Sequence, residues 1–268
     1  GEYKGGLFGG NPVSATGITG VPSTAIDFNA NGILEIPTPW DPNDPNDRGG
    51  IASRHDQFQI EYFINWQGNP KGVPYSENGV GNNGPNLHFE FSGTFTSPTD
   101  MEFQVSPWTP EAQPPVTPSL EPPGGFDAGQ WYYISGQFKN PDWDDSNGTP
   151  VLIEAGVTEL YVAENPLSGT PTVYSLSLVK GIDPSGTFAR TDYLGGDTQG
   201  VERVMISGHG AGGGRTNAVI DEVKIFNQIY DPESYLVGTL GVEIPEPASL
   251  ALLAGGCLLL LRRRRRTA

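Results

Sequence analysis

From residue 1 to residue 242, apolar and polar positions alternate in short runs, a pattern that predicts many strands and almost no helix. In L-H-F-E-F (87–91), Leu87, Phe89 and Phe91 fall on one face and His88 and Glu90 on the other, as expected of a half-buried strand with an exposed His88. Further β-rich runs cover 25–36, 58–66, 101–105, 131–138, 159–163, 173–179, 201–207 and 218–226. Clusters of Gly, Pro, Asn and Asp, the residues that turns require, separate them. Short strands at this spacing predict a two-sheet antiparallel sandwich. A single helical turn is expected at 231–236 (D-P-E-S-Y-L), with Asp231 as N-cap and Pro232 at the first helical position.

Composition sharpens this picture. Gly and Pro supply 62 of the 268 residues, a density of helix breakers that excludes a helical bundle or a large doubly wound fold. Three loops are long: 41–50 (D-P-N-D-P-N-D-R-G-G), the proline-rich 106–125, and 140–150 (N-P-D-W-D-D-S-N-G-T-P). The net charge is −16, and residues 1–242 alone carry 29 acids against 10 bases. A body this acidic repels phosphate backbones, so nucleic acid is not an expected partner. Cys257 is the one cysteine, so no intramolecular disulfide forms.

The C-terminal residues follow a different rule. I-P-E-P-A-S-L-A-L-L-A-G-G-C-L-L-L-L-R-R-R-R-R contains 14 consecutive uncharged residues, 248–261. As a helix these would span about 21 Å, short of the ~30 Å hydrocarbon core. Local bilayer thinning and snorkelling arginines close such a gap. Leu250, Leu253, Leu258 and Leu261 form the apolar anchor. Arg262, Arg263 and Arg264 head the cluster that the positive-inside rule keeps cytoplasmic, with the acidic body on the opposite side. Pro245 and Pro247 hold the preceding stretch extended and outside the helix.

Pro245-Glu246-Pro247, a short apolar helix and an arginine cluster, in that order, resemble the PEP-CTERM sorting signal of Gram-negative bacteria. The resemblance implies an exosortase as processing partner, cleavage near Pro245–Glu246–Pro247, and transient membrane anchoring. Delivery to the cell surface or extracellular matrix, alongside exopolysaccharide, would follow. The body resembles the LamG-like (concanavalin A-like) jelly roll. The resemblance rests on T-A-I-D-F-N-A-N-G-I-L-E-I-P (24–37), F-Q-I-E-Y-F-I-N-W (58–66), G-Q-W-Y-Y-I-S-G-Q-F (129–138) and A-V-I-D-E-V-K-I-F-N-Q-I-Y-D-P-E-S-Y (218–235). The expected organisation is an N-terminal segment (1–19), a jelly roll (20–237), a linker with the PEP motif (238–247), and a hydrophobic helix with its arginine cluster (248–268).

Catalytic patterns are sparse. A retaining glycosidase needs two carboxylates about 5–5.5 Å apart, which on one strand means acids two residues apart. Glu61, Glu90, Glu154 and Glu159 have no such partner. No G-x-S-x-G is present, and His55, His88 and His209 stand outside any zinc pattern. G-H-G-A-G-G (208–213) leads into a strand, so it reads as a loop and not a dinucleotide site. In I-D-E-V (220–223), simple alternation puts Ile220 with Glu222 and Asp221 with Val223. Ca²⁺ is the one candidate cofactor, through Asp41, Asp44 and Asp47 or through Asp142, Asp144 and Asp145. Trp108 and Trp143, expected in loops, are candidates for stacking on sugars, whereas Trp66 and Trp131 are expected in the core. The expected function is a non-enzymatic, exported protein that binds polysaccharide or contributes structure. The alternatives are a divergent glycoside hydrolase and a calcium-dependent adhesion module on the same fold.

Overall fold

The computed structural model describes residues 6–7, 13–19, 25–29, 31–38, 49–52, 55, 57–68, 72–79, 85–94, 97–105, 119–122, 124–139, 142–144, 151–154, 156–167, 172–180, 201–208 and 214–232. They form an all-β sandwich of two antiparallel seven-stranded sheets plus a two-stranded hairpin. In chain order the strands are β1 (Gly6–Leu7), β2 (Val13–Ala15), β3 (Ala25–Asp27), β4 (Leu34–Pro37), β5 (Gln57–Trp66), β6 (Tyr75–Gly79), β7 (Pro85–Thr94) and β8 (Ser97–Val105). Then come β9 (Ser119–Leu120), β10 (Trp131–Lys139), β11 (Asp142–Asp144), β12 (Val151–Glu154), β13 (Gly156–Glu164), β14 (Thr172–Lys180), β15 (Val201–Ile206) and β16 (Ala218–Phe226). Sheet I has the order β1-β4-β15-β6-β7-β8-β9 and sheet II the order β14-β13-β10-β5-β16-β3-β2. Late strands β15 and β16 insert between early ones, so the chain wraps around both sheets. β1 and β2, from the first 19 residues, supply one edge strand to each sheet.

Alternation decides which side chains meet between the sheets. Phe58, Ile60, Tyr62, Ile64 and Trp66 of β5 face Leu87, Phe89, Phe91, Met101, Phe103 and Val105 of sheet I in one buried cluster. Trp66 is thus a core residue as expected, and Trp131 is half-buried against a smaller cluster of Ile18, Phe63, Tyr133 and Ala163. That second cluster lies on the outer face of sheet II. β5 is therefore buried on both sides from Phe58 to Trp66.

The structure departs from simple periodicity at three places. The run 25–36 is two strands in different sheets, broken where Asn29 adopts φ +49° and its N–H donates to Asp27 Oδ1 at 2.9 Å. In β16 a bulge sets Glu222 and Val223 together opposite Tyr62, because Asp221 pairs with Phe63 and Lys224 with Glu61. Glu222 takes the left-handed φ of +54° at the bulge, and Val223 turns inward with Ile220 while Asp221 stays outward. Trp143 and its flanking aspartates belong to strand β11, not to a loop.

Pro232 takes helical geometry as expected, and 233–236 lie outside the described residues. Among the described residues no helix is long and apolar enough to cross a membrane. The expected tail helix (248–268), the Pro245–Glu246–Pro247 motif, Trp108, His209, and Asp41, Asp44 and Asp47 all lie outside the described residues.

Candidate ligand-binding face

The outer face of sheet I gathers polar side chains that are scattered in sequence. Register places Glu35, Met205, Ser76, His88 and Gln104 in one row across β4, β15, β6, β7 and β8. One step along the strands, Glu90 of β7 lies directly opposite Glu102 of β8. Cβ atoms of directly opposed residues sit about 4.5–5.5 Å apart, and like charges so placed repel. Cross-strand pairing thus supplies the carboxylate neighbour that Glu90 lacks along its own strand.

His88 departs from its expectation. It faces outward, as its position in the run requires, yet it is only 5% exposed. Its Nε2 stands 3.5 Å from Glu90 Oε2, while its Nδ1 is buried without a hydrogen-bond partner among the described residues. Glu35 is engaged by Arg203, Nη1 to Oε1 at 3.6 Å. Ser76 donates its hydroxyl to the carbonyl of Gly208 at 2.7 Å, fixing the residue that follows β15 by two positions. The half-exposed Glu90 and Glu102, with Gln104 beside them, are the groups placed to meet a ligand. Together they offer carboxylate acceptors and an amide that both donates and accepts.

Sheet II carries a second polar row on its outer face, but this one is covered. Tyr161, Ser135, Glu61 and Lys224 are register neighbours across β13, β10, β5 and β16. Burial, the dominant influence, pushes the Glu61 carboxyl up from its ordinary 4.5, opposed by hydrogen bonds from Tyr133 and Gln59 and by the charge of Lys224. Burial likewise raises Asp221, whose Oδ2 accepts the N–H of Ile18 at 3.0 Å.

Among the described residues no group of three or more His, Cys, Asp or Glu is arranged to hold a metal ion. Asp142 and Asp144 lie in β11, and Asp145 lies outside the described residues.

No family model matches the chain, and no curated protein does. Solved structures do. A full-length tailspike protein 2 from Escherichia coli O157:H7 bacteriophage CAB120 is similar over 92% of this chain and 29% of its own, with 12% identity and a TM-score of 0.52. Domain 4 of AbnA, a GH43 extracellular arabinanase from Geobacillus stearothermophilus solved with arabinotriose, covers 87% of this chain and 86% of its own at 13% identity and a TM-score of 0.47. The binding domain of botulinum neurotoxin DC in complex with SialylT covers 90% and 47% at 11% identity and a TM-score of 0.47. The likeness to the tailspike is one of fold.

Proposed function

We propose that this protein is an exported, non-enzymatic glycan-binding module whose ligand lies across the outer face of sheet I. The observation that carries the reading is the register-built group of Glu90, Glu102 and Gln104 on that face. Such carboxylate and amide groups pair with sugar hydroxyls, each of which both donates and accepts. A body that carries 29 acids against 10 bases over residues 1–242 favours a neutral polysaccharide over a polyanionic one. The phage tailspike, the arabinanase domain solved with arabinotriose and the neurotoxin binding domain supply context for this fold and do not carry the argument.

The tail completes the proposal. Pro245-Glu246-Pro247, the apolar run and the arginine cluster would hold the protein in the membrane of a Gram-negative bacterium until an exosortase processes it. It would then be released to the cell surface or matrix. Intact mass from the native host tests this part: the expected mass lacks the residues C-terminal to the PEP motif, and a full-length mass overturns it.

Binding is tested by affinity electrophoresis of the full chain in gels containing neutral polysaccharides. Retardation is expected, and Glu102→Gln and Gln104→Ala should each weaken it about tenfold, the effect of losing a hydrogen bond to a charged or amide group. Unretarded migration in every gel would overturn the reading.

A second reading rests on the opposition of Glu90 and Glu102. Carboxylates brought near 5–5.5 Å suit a retaining glycoside hydrolase, with one as acid/base and the other as nucleophile. Release of reducing ends from the bound polysaccharide, lost by more than about a hundredfold in Glu90→Gln and in Glu102→Gln, would favour this reading over simple binding.

A further inference from the structure

Among the described residues, sheets I and II present four edges, each a row of backbone N–H and C=O groups able to template another strand. Three of the four are short. β1 and β9 border sheet I with two residues each, and β2 borders sheet II with three. The fourth, β14, runs nine residues from Thr172 to Lys180. It pairs with β13 along one side in unbroken register, from Gly156 with Lys180 to Glu164 with Thr172, and no bulge twists it away. Among the described residues no strand pairs with its other side. β9 approaches it across the sandwich, but its two residues span only a fraction of this edge.

The sequence of β14 lacks the other usual protections of an edge. T-V-Y-S-L-S-L-V (172–179) contains no charge, proline or glycine, and Lys180 alone closes the run. In a body with 29 acids against 10 bases over residues 1–242, it is a stretch on which a second copy meets no like charge. Its polarity is also symmetric about Leu176. Ser175 and Ser177 flank that residue, followed by Tyr174 and Leu178, then Val173 and Val179, then Thr172 and Lys180. An antiparallel copy laid alongside about this centre sets polar opposite polar and apolar opposite apolar, with no like charges opposed.

We propose that β14 is an interaction edge that pairs antiparallel, about Leu176, with β14 of a second copy of this chain. The pairing joins two seven-stranded sheets into one of fourteen, bounded by the three-residue β2 of each copy, so the assembly closes at two. The two-fold axis of such a strand pair stands perpendicular to the sheet, so both copies keep sheet I on the same side. On the binding reading given above, two glycan faces then point in one direction, and the dimer is bivalent toward a polysaccharide. A contact one nine-residue strand long lies at the small end of specific interfaces, so association is expected in the micromolar range.

Charge swaps on β14 test the pairing in the full chain, held in mild detergent because of its apolar run 248–261. Register places Ser175 beside Tyr161 and Ser177 beside Glu159, on the outer rows of sheet II and away from the core positions. One variant combines Ser175→Lys with Ser177→Lys, the other Ser175→Glu with Ser177→Glu. Sedimentation velocity should show concentration-dependent dimers of the wild-type chain. Each variant alone should need about tenfold or more protein to dimerise, and mixing the two should restore dimers. Hydrogen exchange supplies a readout that needs no variant. Amide protection within 172–180 should rise severalfold with wild-type concentration, while protection at Ile134 in β10 stays constant. A wild-type chain that stays monomeric at every concentration would overturn the inference. So would variants that associate as the wild type does, or no recovery on mixing. Protection of every β14 amide at all concentrations would show that the chain itself covers this edge, and would equally overturn it. Failure of glycan binding leaves these readouts unchanged, so the two proposals fail separately.

Discussion

Replacing Gly136 by alanine is expected to lower the melting temperature by about 4–8 °C, the equivalent of roughly 2 kcal/mol for a domain of this size. Gly136 lies in the middle of β10 on the face between the sheets, where glycine is ordinarily a poor choice because it packs nothing and loses the most backbone entropy. Its position is explained by what crosses above it. A Cβ built there would lie 2.5 Å from Phe89 Cζ, 2.8 Å from Phe89 Cε1 and 3.0 Å from Phe103 Cδ2. Phe89 has nowhere to retreat. It stacks on Phe103 with centroids 4.6 Å apart, meets Tyr62 edge-on at 5.2 Å and Tyr75 edge-on at 6.3 Å. The absent side chain is thus the recess into which the aromatic stack fits. Trimming the ring should restore space: Phe89→Leu with Gly136→Ala should be more stable than the two separate costs predict, by at least about 1 kcal/mol in a double-mutant cycle. Additive losses would show that the clash is relieved by backbone movement and not borne by the ring.

How far the sequence reveals this molecule depends on which of its rules a strand obeys. β5 and β7 announce themselves because their inward positions are filled by large apolar residues at period two; β10 does so apart from Gly136, and β16 on either side of its bulge. β6, Y-S-E-N-G, does not, because one of its inward positions is Glu77, and an acid in a core position erases the signal. The break inside 25–36 did carry a cue, the turn-forming N-A-N-G, although the β-rich residues on either side outweigh it. The bulge in β16 carries none, since Glu222 is an unusual residue to place at positive φ. The candidate face was hidden for a topological reason. Glu90 and Glu102 stand 12 positions apart, and only the register of the β7–β8 hairpin makes them neighbours. Glu90 has no acid two residues away on its own strand, whereas Glu102 has one in Asp100 on β8.

Glu77 marks the largest single loss expected from any polar substitution in the core. It is fully buried on the inner face of β6, opposite Val204. Its Oε1 accepts the Tyr75 hydroxyl at 2.7 Å, the Ala52 N–H at 2.8 Å and the Ile51 N–H at 3.4 Å. These bonds hold the bend at 49–52, where Gly49 and Gly50 adopt φ of +64° and +69° and the Gly50 N–H donates to Thr38 Oγ1 at 3.2 Å. The bend leads the chain into the core at Ala52. Glu77→Ala leaves the Tyr75 hydroxyl and the Ala52 N–H buried without this acceptor, each at a cost of about 1–3 kcal/mol, so a total near 3–5 kcal/mol is expected. That corresponds to a fall in melting temperature of about 10 °C or more. Glu77→Gln keeps a carbonyl acceptor of the same reach and should lose less than half as much. Combining Glu77→Ala with Tyr75→Phe removes one orphaned donor and should recover about 1 kcal/mol, while Ala52 stays unsatisfied. Chemical denaturation of the four proteins measures each step. Equal stabilities for the alanine and glutamine variants would mean that the bend is held by its glycines and Thr38, with Glu77 merely filling space.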